Sequence, residues 1–237
     1  VLQKGFSRTA QLVYTLLAAS LRFAVEKRIL AASPVSRDDK PFHLAEFSGW
    51  WNADEVRRFL AANADDPFLP AWLLALTCGL RRGELLGLQW CDVDQDQLLL
   101  HVRRQRILVD GVVYERPPKS RAGIRDIPLP EEVAAVLKAH RRRQVATRAS
   151  KYVLADSLGA PISARMIAKR HRSAILRAGV RHIPLHGMRH TMASLAAASG
   201  VSIKVMQLIL GHATFSVTAD IYTHVDDTEK RRAISAI

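Results

Sequence analysis

Between Leu98 and Leu129 the chain changes texture. Leu98-Leu99-Leu100-His101-Val102 and Val112-Val113-Tyr114 have the composition of short strands, with Asp110-Gly111 as a hairpin turn between them. Ile124–Leu129 supplies a third strand, ended by Pro130. On both sides of this stretch the apolar spacing is helical. The fold class is therefore mainly α with one small antiparallel β-sheet, and neither an internal repeat nor a low-complexity segment is visible.

The helices carry their own punctuation. Leu12, Leu16, Ala19, Phe23 and Leu30 give residues 9–30 helical character, and Pro34 ends that segment. Asn52-Ala53-Asp54-Glu55 has the form of a capping box, followed by an apolar stripe at Val56, Phe59 and Leu60. A helix from about Pro70 to Cys78 stops at Gly79, and another covers roughly Arg82 to Leu88. After the strands, Pro130 opens a helix that carries Val133, Val136 and Leu137. Ser163 caps a helix that stops at Gly179, and another runs from about Gly187 to Ser199 with Gly200 in the stop position. Ser202 caps one that ends at Gly211, and a final short helix carries Tyr222.

Ser36-Arg37-Asp38-Asp39-Lys40-Pro41 is a polar linker, and the main domain starts near Phe42. One helical stretch cannot bury its own apolar face, so residues 1–35 read as part of a domain whose remainder is missing. The start at Val1 rather than Met also points to a piece of a longer protein. The 237 residues suffice for one large domain plus part of another, and 49% of them are hydrophobic, enough for a core. Lys and Arg number 35 against 22 acidic residues, a formal net charge of +13, which suits a polyanion, and nucleic acid is the commonest one. No apolar run approaches the roughly 18 residues a membrane span needs. Two cysteines, Cys78 and Cys91, form no disulfide framework and read as reduced thiols of a cytoplasmic protein.

Two segments place polar residues inside apolar surroundings. In Thr77-Cys78-Gly79-Leu80-Arg81-Arg82-Gly83-Glu84 a helix stops at a glycine, Arg81 sits in the turn and Glu84 opens the next helix. Arg81 either aims its planar fork at a phosphate or pairs with Glu84 as a structural ion pair. In His186-Gly187-Met188-Arg189-His190-Thr191, His186 and Arg189 share a face of a helical first turn, whose amides favour an anion. Taken alone, that pair is weak evidence, and in most proteins it would be a solvated one. Leu210-Gly211-His212 follows, and ten residues after His212 comes Tyr222.

With these segments in view, the chain resembles the tyrosine recombinase (phage integrase) family, fully over residues 42–226 and more weakly over residues 9–35. The family has an arginine in a Thr-Gly-Leu-Arg-x-x-Glu box, a lysine in a turn between strands, His-x-x-Arg, Leu-Gly-His, and then a tyrosine. Arg81, Lys119, His186, Arg189, His212 and Tyr222 match in that order. Cys78 departs from the threonine that many members carry before the glycine. The resemblance implies a catalytic domain over residues 41–237, preceded over residues 1–40 by the end of a helical core-binding domain and a linker.

The chemistry the resemblance implies fits these residue types. A phosphodiester repels nucleophiles, and Arg81 and Arg189 would grip its non-bridging oxygens. Tyr222 would form a 3′-phosphotyrosine, with His186 as general base, His212 as hydrogen-bond donor to the phosphate and Lys119 protonating the leaving 5′ oxygen. Neither metal nor other cofactor is implied. The implied partner is double-stranded DNA with inverted core sites, bound by a homotetramer, with accessory DNA-bending proteins a further possibility. The tail, residues 226–237, would pass to a neighbouring subunit. Topoisomerase-like activity and a non-catalytic DNA binder are the alternatives, and an intact set from Arg81 to Tyr222 counts against the second.

Other features have plainer readings. Lys119 taken alone is a solvated turn lysine. Arg141-Arg142-Arg143 and Arg170-His171-Arg172 are either phosphate contacts or solvated helix faces. His101, His182, His190 and His224 match no catalytic role. Trp50, Trp51, Trp72 and Trp90 read as core or hinge aromatics.

Overall fold

The computed structural model describes residues 7–41, 49–147 and 149–211. Its contacts divide the chain into two units, Val1–Phe47 and Ser48–Ile237, each described here by itself.

In the first unit, α1 (Ser7–Glu26) carries Leu12, Leu16 and Phe23 at helical spacing, and all three are exposed. The helix ends four residues before the expected Leu30. Arg28 takes a left-handed φ of 58°, and the Ile29 amide turns back to the Ala24 carbonyl at 2.8 Å, a Schellman-type stop reached without glycine. The Tyr14 hydroxyl then donates to the Ser36 carbonyl at 2.6 Å, holding the following segment against the helix.

In the second unit the local signals act as expected. The Asn52 side chain accepts from the Glu55 amide at 2.8 Å and Glu55 returns the bond to the Asn52 amide, opening α2 (Ala53–Ala62). α3 (Leu69–Thr77) is apolar all round, because it runs through the core with Trp72 and Leu74 fully buried. A short α4 (Arg82–Gly87) follows. Later come α5 (Glu131–Thr147), α6 (Ala164–Ala178, capped by Ser163) and α7 (Leu185–Ala198), which starts two residues earlier than Gly187. Last among the described residues is α8 (Ile203–Leu210, capped by Ser202). α3 lies between α5 and α7, and α2 packs on α6. Asn63 ties that last pair: its side-chain amide donates to the Ala174 carbonyl and its oxygen accepts from Arg177.

The strands differ from the single sheet expected. One sheet has three antiparallel strands in the order β1 (Val93–Asp94), β2 (Leu99–Val102), β5 (Arg125–Pro128). A separate ribbon pairs β3 (Gln105–Val109) with β4 (Val112–Arg116). The Asp110-Gly111 turn therefore joins β3 to β4, not the Leu98–Val102 run to Val112. β3 escapes a hydrophobicity reading because it opens on Gln105-Arg106 after two further arginines. In the three-stranded sheet Leu100 pairs with Ile127 and Val102 with Arg125, so Arg125 shares the inward face with Ile127. That side-chain direction governs the site described below.

Trp51, Trp72 and Trp90 are buried, as expected for core aromatics. His171 is a correction to the solvated or phosphate-facing Arg170–Arg172 run. It is only 4% exposed, with its ring centroid 5.6 Å from Trp72 and 6.4 Å from both Trp51 and Phe59. Its Nε2 has no hydrogen-bond partner among the described residues. Burial, helped by the charge of His182, drops its pKa from 6.5 to about 4. Between those values the unfolded chain binds more protons than the folded one. The stabilisation is thus complete above the unfolded pKa and drains away as pH falls towards the folded one. His171 alone then accounts for a loss of about 3 kcal/mol. We predict that urea midpoints fall from about pH 7 to about pH 4.5, and that His171→Phe, which keeps a ring but cannot titrate, flattens part of that fall. An unchanged fall in the variant would assign the acid sensitivity to other groups.

Candidate active site

Helix α8 ends with three backbone carbonyls that no further helical turn can satisfy. Three arginines from three other elements take them. Arg125 on β5 donates its Nε to the Ile209 carbonyl at 2.6 Å. Arg189 on α7 donates Nη2 to the Leu210 carbonyl at 2.5 Å and Nη1 to the Gly79 carbonyl at 2.5 Å. Arg81, at the entry to α4, donates Nη2 to the Gly211 carbonyl at 3.0 Å. The negative end of the helix dipole faces these cations, which adds to each bond.

Glu84 makes this crowd of cations tolerable. Its carboxylate, 2% exposed, receives Arg125 through both terminal nitrogens, at 3.1 and 2.9 Å. It also takes the Arg81 Nη1 at 2.8 Å and the Arg81 amide at 2.9 Å. Burial pushes the Glu84 pKa up, but the bonds and charge of Arg125, with those of Arg81, outweigh it and hold it below the ordinary value. The ion-pair reading of Arg81 is thus realised, and it coexists with a guanidinium that keeps 34% of its side-chain surface.

His186 stands on the first turn of α7 with its ring 4.7 Å from that of His190, edge to face. Although the residue is exposed, its pKa is drawn below the usual value by desolvation, then by His190, Arg189 and Arg81, with Glu84 opposing. Arg189 feels burial first and Arg81 second, and its pKa falls to about 9, so it stays largely protonated at neutral pH. The mutual influence of Arg81, Glu84, His186 and Arg189 places them in one electrostatic neighbourhood. The Arg189 bonds given above use two of a guanidinium's five donors.

Lys119 is exposed in the strap between β4 and β5, just before a single 3₁₀ turn, Arg121–Gly123. That strap touches the same corner. Gly211 has φ +64°, and a Cβ there would stand 2.5 Å from the Ala122 carbonyl oxygen. Gly79 is also left-handed, at φ +59°, and a Cβ there would meet Leu210 at 2.8 Å. Two glycines thus let three backbone segments close on the arginine cluster. His212 and Tyr222, like the tail 226–237, lie outside the described residues.

Arg125 was missed from sequence. Its signal was the alternation of β5, which sends an arginine to the same side as Ile127 and Leu129. Cys78 is buried, with its thiol pushed up to about 11 by burial, and so has no nucleophilic character at neutral pH. Among the described residues no helix is long and apolar enough to cross a membrane.

Residues 50–229 match the phage integrase family. A tyrosine recombinase XerC-like protein of Caldanaerobacter subterraneus subsp. tengcongensis is 30% identical over 261 residues, covering 98% of this chain and 66% of that protein. The prophage integrase IntR of Escherichia coli is 25% identical, covering 91% of this chain and 57% of the relative. The chain therefore spans less than two thirds of the length of these relatives. Among solved structures, the Tn1549 transposon integrase in complex with transposon right end DNA superposes with a TM-score of 0.78 at 22% identity, over 92% of this chain and 76% of that one. A lambda integrase tetramer bound to a Holliday junction gives 0.61 at 18% identity, over 91% and 59%. At these identities the superpositions establish the fold, a tyrosine recombinase catalytic domain.

The closeness of Gly211 to the strap yields a test. Gly211→Ala adds a methyl against the Ala122 carbonyl at a left-handed φ, and should cost about 2 kcal/mol or more. Urea unfolding checks this, and a change below about 0.5 kcal/mol would mean the strap does not bear on α8.

Proposed function

The chain belongs to the phage integrase family, and on that footing we propose that it is the catalytic part of a site-specific DNA recombinase. It cleaves and rejoins DNA through a 3′-phosphotyrosine at Tyr222, for integration or excision of a phage or mobile element. The observation that carries this is the meeting of Arg81 and Arg189 at the end of α8, within electrostatic reach of His186; from that point the chain continues to His212 and Tyr222.

The roles follow from charge and protonation. Arg81 and Arg189 stabilise the charge that develops on the non-bridging oxygens in the transition state. A His186 held neutral accepts the phenolic proton of Tyr222, whose pKa near ~10 otherwise leaves it a weak nucleophile. His212 donates to the phosphate, and Lys119 delivers a proton to the departing 5′ oxygen. The covalent bond conserves the energy of the broken linkage, so rejoining needs no ATP. Charge stabilisation by two guanidiniums removes the need for a metal.

Double-stranded DNA with inverted core sites is the proposed substrate, and the net charge of +13 supports phosphate contacts. The proposed assembly is a homotetramer on paired sites, supported by the lambda integrase tetramer bound to a Holliday junction. Residues 1–40 would be the end of a core-binding domain, and accessory DNA-bending proteins would help assembly.

Two experiments test the reading. Nicked duplexes with random inserts are offered to the protein, and those captured covalently under denaturing conditions are recovered. Tyr222→Phe should capture none while keeping DNA affinity, and Arg81→Ala and Arg189→Ala should each slow capture by roughly a hundredfold. Capture by the Phe variant would move the nucleophile elsewhere. Lys119→Ala should slow capture of an ordinary duplex, and a 5′-bridging phosphorothiolate, whose thiolate leaves without protonation, should restore it. Equal slowness on both would remove Lys119 from the general-acid role.

A further inference from the structure

Arg125 matches none of the six residues assigned to chemistry, yet its side chain is 5% exposed and its guanidinium is more completely bonded than that of Arg81 or Arg189. Nε reaches the Ile209 carbonyl at 2.6 Å. Nη1 reaches the Gly123 carbonyl at 3.0 Å and Glu84 Oε1 at 3.1 Å, and Nη2 reaches Glu84 Oε2 at 2.9 Å. These four bonds join three places that sequence keeps far apart: the helix end before His212, the strap that carries Lys119, and the carboxylate that grips Arg81.

We propose that Arg125 is a positioning residue for strand cleavage, a planar joint that sets the Lys119 strap and the α8 end in register with Arg81. The inference rests on the recombinase reading for its functional consequence. Arg125 meets no reacting atom and acts through its neighbours. Three features make the guanidinium specific. It is flat and offers donors in fixed directions, it bonds both oxygens of Glu84 together, and it stays charged when buried. A lysine keeps the charge but offers one small ammonium that cannot span Ile209, Gly123 and both carboxylate oxygens. Arg125→Lys therefore separates geometry from charge. Without Arg125, Glu84 keeps only Arg81 as a hydrogen-bonded counter-charge, so its carboxyl should titrate at higher pH and Arg81 should loosen as it does.

The test uses wild type, Arg125→Lys, Arg125→Met, Glu84→Gln and the Glu84→Gln/Arg125→Met double variant, each first shown to be folded by its unfolding transition. One duplex captured by wild type from the random nicked pool serves for all. Single-turnover capture at saturating DNA should drop by about thirtyfold in Arg125→Met and by at least about tenfold in Arg125→Lys. Duplex affinity should stay within about threefold. The acid limb of the rate profile should move to higher pH in Arg125→Met, and in Glu84→Gln only the limb set by protonation of His186 should remain. The double variant should be little slower than the worse single one, because both changes break one joint. An Arg125→Lys rate near wild type, or losses that multiply in the double variant, would overturn the proposal.

A second measurement is independent of cleavage. Inorganic vanadate, titrated by calorimetry, should bind wild type through Arg81 and Arg189 and bind Arg125→Lys about tenfold more weakly at equal net charge. Equal vanadate affinity would also overturn the joint. If wild type captures no duplex at all, the recombinase reading fails, and the vanadate comparison still decides whether Arg125 sets the arginine geometry. Should Arg125→Met fail to fold, Arg125→Lys and Glu84→Gln carry both measurements.

Discussion

A single buried carboxylate organises this corner of the molecule. Glu84 is almost fully excluded from water, so an ionised form survives only with partners that replace its hydration. Arg125 and Arg81 supply them, and in doing so commit two elements, β5 and the entry to α4, to one position. Removing one partner of such a buried pair typically costs about 3–5 kcal/mol, since the other charge is stranded. Arg81, Arg125 and Arg189 would repel one another if left alone. Glu84 and the carbonyls of Ile209, Leu210, Gly123 and Gly79 turn that repulsion into a fixed spacing.

The rest of the second unit serves that spacing. α3 runs through the core with its apolar surface spent in every direction, so the turn after it, with Gly79 and Arg81, emerges at a defined place. α7 is also held by the Trp51 amide, which donates to Thr191 at 3.0 Å, and the segment leading into it by the Trp51 ring nitrogen, which donates to the Arg181 carbonyl at 2.7 Å. A small cluster of Met192, Ala193, Met206 and Leu210 fixes α8 against α7. Each arginine therefore approaches the α8 end from an element that is itself packed, which is how long side chains keep angstrom-level positions.

What was legible in the sequence was what depends on near neighbours. The Asn52–Glu55 capping box, the Ser163 and Ser202 caps and the glycine stops at 79, 179 and 211 involve residues within one helical turn, and they stand where expected. Arg81 and the His186–Arg189 pair stood out because polar groups stood inside apolar runs, and the structure brings them into one electrostatic neighbourhood, with Arg81 paired to Glu84. β3 was not, because its polar opening hides a strand whose stability comes from its ribbon partner. Arg28 as a helix stop was not, since arginine has no marked preference for a left-handed backbone. Arg125 was not, because its worth lies in Glu84, 41 positions earlier, and Ile209, 84 positions later. His171 looked like one of a basic run, and only the packing of three aromatic rings shows that it points inward.

The charges of this protein fall into two populations that ionic strength will treat differently. The arginine–carbonyl and arginine–Glu84 bonds are shielded from mobile ions, whereas exposed cations such as Arg141, Arg142 and Lys119 sit in electrolyte whose Debye length is only about 8 Å at physiological salt. Rising salt should strip contacts made by the second set while leaving the first intact. The arginine corner at the end of α8 can then keep its geometry through changes in ionic milieu that strip or restore ions around the exposed cations.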